Sequence, residues 1–155
     1  ISGGGGNDLI NGGSENDVIS GGAGSDTITG GHGSDTLTGG DGQDIFAYEA
    51  TNHFFDGSGS FGDVITDFAP GSGGDVLDFR SLFSELGYGG ADPFGEGWLQ
   101  LEHDGSDLKV NLDSSGSGEN YSNTITTLQN VTLSDFRTQN ARTRHGLCSL
   151  SSGDH

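Results

Sequence analysis

The chain has 155 residues, of which 31 are Gly, and sets only 5 Lys or Arg against 23 Asp or Glu, for a formal charge of −18 at pH 7. That charge repels nucleic acid and anionic membrane surfaces, so neither is expected as a partner, and no apolar run nears the roughly 20 residues of a membrane-spanning helix. With 29% hydrophobic residues the core must be thin, and the lone Cys148 excludes an internal disulfide.

Residues 3–47 are one nine-residue unit written five times without a gap: GGGGNDLIN, GGSENDVIS, GGAGSDTIT, GGHGSDTLT and GGDGQDIFA, starting at Gly3, Gly12, Gly21, Gly30 and Gly39. Nine residues are too few for a helical hairpin. Six permissive residues followed by a short apolar-centred strand predict a turn and a strand, with two units completing one coil of a parallel β-helix. By strand alternation Ile10, Ile19, Ile28, Leu37 and Phe46 point inward and their neighbours outward. Glycines at unit positions one, two and four allow the positive φ of tight turns whose carbonyls aim inward.

Asp8, Asp17, Asp26, Asp35 and Asp44 recur in the same phase. Units n and n+2 therefore stack carboxylates about 4.8 Å apart. Such neighbours repel by about 3 kcal/mol at an effective dielectric near 20. A hard cation that accepts carboxylates and carbonyls in flexible geometry resolves the conflict, and this describes Ca2+ better than Mg2+, which wants a strict octahedron, or zinc, which wants His or Cys. The turns hold only His32 of those two types. The candidate ligands are the five aspartates with the backbone of Gly4, Gly6, Gly13, Gly22, Gly24, Gly31, Gly33, Gly40 and Gly42. Stacking unit 1 on 3, 2 on 4 and 3 on 5 gives about three sandwiched ions, with half-sites at the ends. Glycine ordering is costly, so metal must supply much of the folding energy, and the chain is expected to be unfolded without calcium and folded with it.

The pattern GGxGxDxUx, with U a large apolar residue, resembles the RTX (repeats-in-toxin) calcium-binding β-roll. The second unit departs from it, with Glu15 in place of the third glycine, which marks the turn of Asp17 as a weak site or one that recruits Glu15. The resemblance implies a secreted, extracellular module exported unfolded by type I secretion and folded by external calcium.

Residues 48–62 leave the period and read as a loop. The GxGxxG string from Gly57 to Gly62 carries no nucleotide site, because no helix pattern follows and no βαβ unit surrounds it. DVITDF (residues 63–68) and DVLDF (residues 75–79) predict two short strands around a Pro70-Gly71 turn. The block resembles the segment that follows the roll, and caps it, in many RTX proteins. Asp63, Asp67, Asp75 and Asp78 stand either as completing ligands for terminal half-sites or as turn and exposed strand residues. Residues 80–86 predict one helical turn, and residues 98–103 and 107–112 a hairpin around Asp104-Gly105. Residues 123–128 and 130–133 predict one or two more strands. They follow a Ser/Gly loop flanked by Asp113 and Glu119, which is read as solvated rather than as a further calcium site. The fold class is thus all-β: a parallel β-roll over residues 1–47, a loop over 48–62, a small β-rich cap over 63–136, and a mobile tail over 137–155 with three of the five basic residues.

No catalytic constellation emerges. His32, His53, His103, His145 and His155 are scattered, no HExxH or GxSxG string is present, and the patterned carboxylates are already assigned to metal. The module is therefore read as a non-catalytic, monomeric accessory. With no Met in the chain, an upstream domain of the same protein is expected. The short roll, the two DV-strands and LGYGG at residues 86–90 resemble the R-modules of bacterial mannuronan C5-epimerases, which work on alginate. That resemblance implies an acidic polysaccharide as a further partner. The alternative is the terminal secretion and folding module of a large RTX adhesin, or of a protease or lipase.

Overall fold

The computed structural model describes residues 1–49, 62–90, 92–113, 123–136, 140–143 and 146–147. Most of the 48–62 loop, the GxGxxG string apart from Gly62, Glu119 and much of the 137–155 segment lie outside the described residues.

Six strands come from the repeats: β1 (Ser2–Gly5), β2 (Leu9–Gly13), β3 (Val18–Ala23), β4 (Thr27–Gly31), β5 (Thr36–Asp41) and β6 (Ile45–Ala47). Odd strands pair in parallel with odd and even with even, as two units per coil require. Ile10, Ile28 and Phe46 share one register row, while Ile19 and Leu37 share the other. All five side chains are buried between the two sheets. The flanking positions face outward, with Leu9 and Val18 exposed, although Thr29 is buried.

The cap does not form a separate layer; it continues both sheets. β7 (Asp63–Ile65) pairs in parallel with β5, and β8 (Val76–Asp78) with β6, so Ile65 extends the Leu37 row and Leu77 the Phe46 row. Past β7, the hairpin of β9 (Leu99–Asp104) and β10 (Asp107–Leu112) joins through β11 (Asn123–Leu128), giving the order β1-β3-β5-β7-β11-β10-β9. The second sheet runs β2-β4-β6-β8, then β12 (Ala141–Thr143) and β13 (Gly146–Leu147). Each sheet changes from parallel to antiparallel pairing at its cap end. The helix among the described residues, α1 (Arg80–Glu85), buries Leu82 and Phe83 in the cap core. It is too short to cross a membrane, and no helix among the described residues is long and apolar enough to do so.

Two cap expectations are corrected. Residues 130–133 form no strand: Asn130 has φ 56, its amide donates to Asp107 Oδ1 at 3.0 Å, and the Asp135 and Phe136 amides fold back onto the Thr132 carbonyl. Nor is all of residues 137–155 a mobile tail. β12 pairs with β8, Ala141 is buried, and the buried Asn140 side chain accepts from the Gly71 amide at 3.0 Å and donates to the Asp75 carbonyl at 2.7 Å. The turn before β8 closes on itself through the Gly74 and Asp75 amides, and the Asn140 side chain ties it to the start of β12.

Candidate metal centre

The repeat aspartates line the two edges of the roll where the chain turns from one sheet to the other. On one edge the Asp8 amide donates to Asp26 Oδ1 (2.8 Å), Asp26 to Asp44 Oδ1 (2.9 Å) and Asp44 to Asp75 Oδ1 (2.9 Å). On the other, Asp17 donates to Asp35 Oδ1 (2.8 Å) and Asp35 to Asp63 Oδ1 (3.0 Å). Each aspartate carbonyl also accepts the amide of the residue after the next aspartate in its row, through to Val64 and Val76. Asp63 and Asp75 are thus further rungs of the same ladders, supplied by the cap. Their Asp-Val-Ile and Asp-Val-Leu sequences repeat the Asp-x-apolar end of every unit, which is the signal that places them.

A second set of contacts, which the sequence reading missed, runs the opposite way. Ser25 and Ser34 amides donate back to Asn7 Oδ1 and Asn16 Oδ1, each at 2.9 Å, and the Gln43 amide to Ser25 Oγ at 3.3 Å. Every unit carries a polar residue at position five, and that was the available sign. Together the two sets clasp each turn to the one two units away, fixing register without any ion.

One carboxylate oxygen of each repeat aspartate is left over. Oδ2 of Asp8, Asp17, Asp26, Asp35 and Asp44 is buried with no hydrogen-bond partner. A buried acceptor in that state costs about 1–3 kcal/mol, more when charged. The glycines show what faces these oxygens. A side-chain carbon placed on Gly3 would stand 2.6 Å from both Asp8 Oδ2 and the Gly21 carbonyl oxygen. Gly12 is likewise flanked by Asp17 Oδ2 and the Gly30 carbonyl, and Gly21 by Asp26 Oδ2 and the Gly39 carbonyl. Stacked turns approach so closely that a carbon on Gly22 or Gly40, both at positive φ, would collide with the Gly4 or Gly22 carbonyl. Where Glu15 replaces glycine the backbone keeps the left-handed turn, with φ 76, and Gly33 still packs on its carbonyl.

No three Asp, Glu, His or Cys side chains among the described residues close on one point as a metal cluster. Paired carboxylate and carbonyl oxygens on glycine turns are instead the donor set of a hard cation such as calcium, and the partnerless Oδ2 atoms fit one. Electrostatics agree. Burial pushes the Asp35 and Asp44 carboxyls up from the usual 3.8, Asp75 to about 6 and Asp63 to about 7, with the charge of the adjacent aspartate in the row adding to the rise and the amide hydrogen bonds opposing it.

The other acids do not join the rows. Asp78 is held by Arg80 through its Nε and Nη2, the latter at 2.5 Å, which keeps its carboxyl below the usual range despite burial. It is an ion-pair residue and not a terminal ligand. Asp67 accepts the Gly39 and Gly40 amides, one on each carboxylate oxygen, at 2.9 Å. Asp113 is buried at the end of β10.

Against this geometry, the model of the RTX calcium-binding nonapeptide repeat (4 copies) matches residues 1–19 and 11–46. Residues 1–46 carry RTX repeats. Calcium is therefore the cation that these repeats imply. No curated protein matches the chain. Among solved structures, the AlgE6R3 subunit of the Azotobacter vinelandii mannuronan C5-epimerase aligns over 88% of this chain and 77% of its own, at 23% identity and a TM-score of 0.38. The RTX stretch ends where β6 gives way to the cap.

Proposed function

We propose that the chain is a non-catalytic module switched from an extended to a folded state by calcium, with the five repeat aspartates and the turn glycine carbonyls as its ligands. The observation that carries this reading is the buried, partnerless Oδ2 that recurs in all five units. Without an ion these oxygens oppose folding. With one, each carboxylate gains a counter-charge and the turn carbonyls a partner. The three places where an aspartate Oδ2 and a carbonyl two units on flank the same glycine correspond to about three sandwiched ions. RTX repeats are typical of type I-secreted extracellular proteins, so the switch belongs outside the cell: low calcium keeps the chain unfolded for export, and external calcium folds it in support of an upstream domain.

Circular dichroism during a calcium titration tests the reading. Calcium should convert a largely disordered spectrum to β structure, while Mg2+ at the same concentration does not. An unchanged β spectrum in excess EDTA would overturn it.

A second reading adds an acidic polysaccharide such as alginate. The outward polar residues support it, in two rows: Asn11 lies in one sheet, where Thr29 is buried, and Ser20 and Thr38 lie in the other, continued by a 2.8 Å contact between the Thr38 and Thr66 hydroxyls. With a chain charge of −18, binding should need calcium and weaken with salt. NMR titration of the calcium-loaded module with alginate oligomers should shift one of these rows; no shifts would leave folding and secretion alone.

A further inference from the structure

One backbone bond repeats along each edge of the roll, and the last aspartate of each row departs from it. On the first edge the Asp8 carbonyl accepts the Thr27 amide, Asp26 the Ile45 amide and Asp44 the Val76 amide, each at 2.8 Å. Asp75 ends that row. Its carbonyl accepts instead from the side-chain Nδ2 of Asn140, at 2.7 Å. On the second edge the Asp17 carbonyl accepts the Thr36 amide and Asp35 the Val64 amide, again at 2.8 Å. Asp63 ends this row, and its carbonyl accepts from the Thr126 hydroxyl at 3.3 Å. Asn140 and Thr126 are both fully buried. They reach the two row ends from different strands: Asn140 directly precedes β12, while Thr126 lies in β11, in register with Asp63.

We propose that Asn140 and Thr126 terminate the two aspartate rows, each supplying from a side chain the donor that a further coil would supply from its backbone, and that each sets the calcium response of its own edge. The inference rests on the calcium reading of the roll above. Both are positioning residues that act through the last aspartate of a row; neither is an ion ligand. On the first edge Asn140 also accepts the Gly71 amide at 3.0 Å, so it holds both ends of the turn that carries Asp75. The Asp75 carboxylate accepts the Asp44 amide, Asp44 accepts the Asp26 amide, and Asp26 Oδ2 faces the Gly39 carbonyl across Gly21. On the second edge Thr126 holds Asp63, which accepts the Asp35 amide as Asp35 accepts that of Asp17. A buried carbonyl stripped of its donor costs more than the bond it made. Because each ladder runs along its own edge, that cost falls on one row. By linkage the coupling is reciprocal: ions bound along an edge tighten the hold of its terminator.

Hydrogen exchange of the full chain in saturating calcium, read amide by amide, tests this with a pair of variants. Asn140→Ala should speed exchange about tenfold at the Asp26, Asp44 and Ile45 amides and leave Asp17, Asp35 and Thr36 unchanged. Thr126→Val keeps the side-chain shape and removes the hydroxyl; it should reverse the pattern by a smaller factor, its bond being the longer. Asn140→Asp retains an acceptor for the Gly71 amide but has no donor for the Asp75 carbonyl, so it should speed the same amides as Asn140→Ala. In isothermal titration calorimetry each single variant should bind calcium more weakly, with losses that add in the double variant because the rows are separate. Acceleration spread evenly over both edges, or calcium affinity unchanged in both single variants, would overturn the proposal and leave the calcium reading of the roll intact. If Asn140→Ala does not fold, the unaltered chain decides: as calcium falls, the Gly71 amide should lose protection in step with that of Asp44, and protection of Gly71 indifferent to calcium would overturn the coupling. An unaltered chain whose β structure ignores calcium would overturn both readings.

Discussion

The roll and the cap share two continuous sheets but are held together by different forces. Each coil of the roll contributes two inward side chains, such as Ile19 and Ile28, and spends the rest of its length on turns whose buried carboxylate oxygens have no partner in the protein. The cap instead gathers aromatic rings in a chain of contacts: Phe68 stacks on Phe136 at 6.1 Å, Tyr48 on Phe79 at 5.4 Å, and Phe83 meets Tyr88 at 4.9 Å, which in turn meets Trp98 at 5.2 Å. Burying a ring of that size stabilises by about 1.5–3 kcal/mol, and none of these rings carries a charge to be neutralised. Strand pairing alone therefore does not decide which half of a common sheet stands by itself; what fills and lines it does.

Removing a central ring should show the largest effect. Phe79→Ala is expected to cost about 3–5 kcal/mol, a large part of the stability of a typical domain, and to remain costly in saturating calcium; denaturant unfolding at fixed high calcium measures it. A loss erased by more calcium would mean that the cap leans on the ion as heavily as the roll.

Next in size is a contrast inside the roll. Asp26→Ala removes the acceptor of the Asp8 amide as well as an ion-facing oxygen, whereas no amide among the described residues donates to the Asp8 carboxylate. The calcium midpoint of folding should rise roughly tenfold for Asp26→Ala, about 1.4 kcal/mol, and by clearly less for Asp8→Ala. Equal shifts would mean that the stacked turns act independently.

Acid should partly replace the ion. Asp35, Asp44, Asp63 and Asp75 have folded-state pKa values raised by burial, Asp63 to about 7 and Asp75 to about 6. The calcium-free fold then binds more protons than the unfolded chain between the usual 3.8 and those values, so its stability is fully present below 3.8 and is lost as pH rises through 6 to 7. In EDTA, β structure should increase from pH 7.5 to pH 4, and a flat circular dichroism profile would count against burial of these carboxyls.

The smallest effect concerns Glu15, which holds φ 76 where the other turns have glycine. Glu15→Gly should stabilise the calcium-loaded roll by about 1 kcal/mol, since a non-glycine residue in the left-handed region costs roughly 1–2 kcal/mol. A loss in thermal midpoint would mean instead that the exposed Glu15 side chain contributes to the neighbouring site.

The roll was legible in the sequence because its physics repeats: in-phase glycine, aspartate and aliphatic residues can satisfy one another in few ways, and the alternation that buries Ile28 also orients Asp26. The cap was legible where it copied that phase, at Asp63 and Asp75, and where local signals sufficed, at the helical turn of α1, the β9–β10 hairpin around Asp104-Gly105 and β11. β12 was not, since Ala-Arg-Thr carries no apolar alternation and is strand only because β8 offers it an edge and Asn140 ties down the turn beside it. The roles of Asp67 and Asp78 depend on partners, two glycine amides in one case and Arg80 in the other, that no spacing rule brings together.

The reciprocal clasp between turns two units apart has a consequence for how such a chain can vary in length. Each unit covers half a circuit of the roll, and the cap always sits on the last two, with β7 over β5 and β8 over β6. Gain or loss of a single nine-residue unit therefore carries the beginning of the roll to the opposite face, a half-turn about its axis with an advance of about 2.4 Å, whereas two units restore the original direction and add about 4.8 Å. The number of repeats, odd or even, acts as a rotary setting for whatever the roll's first strand is joined to.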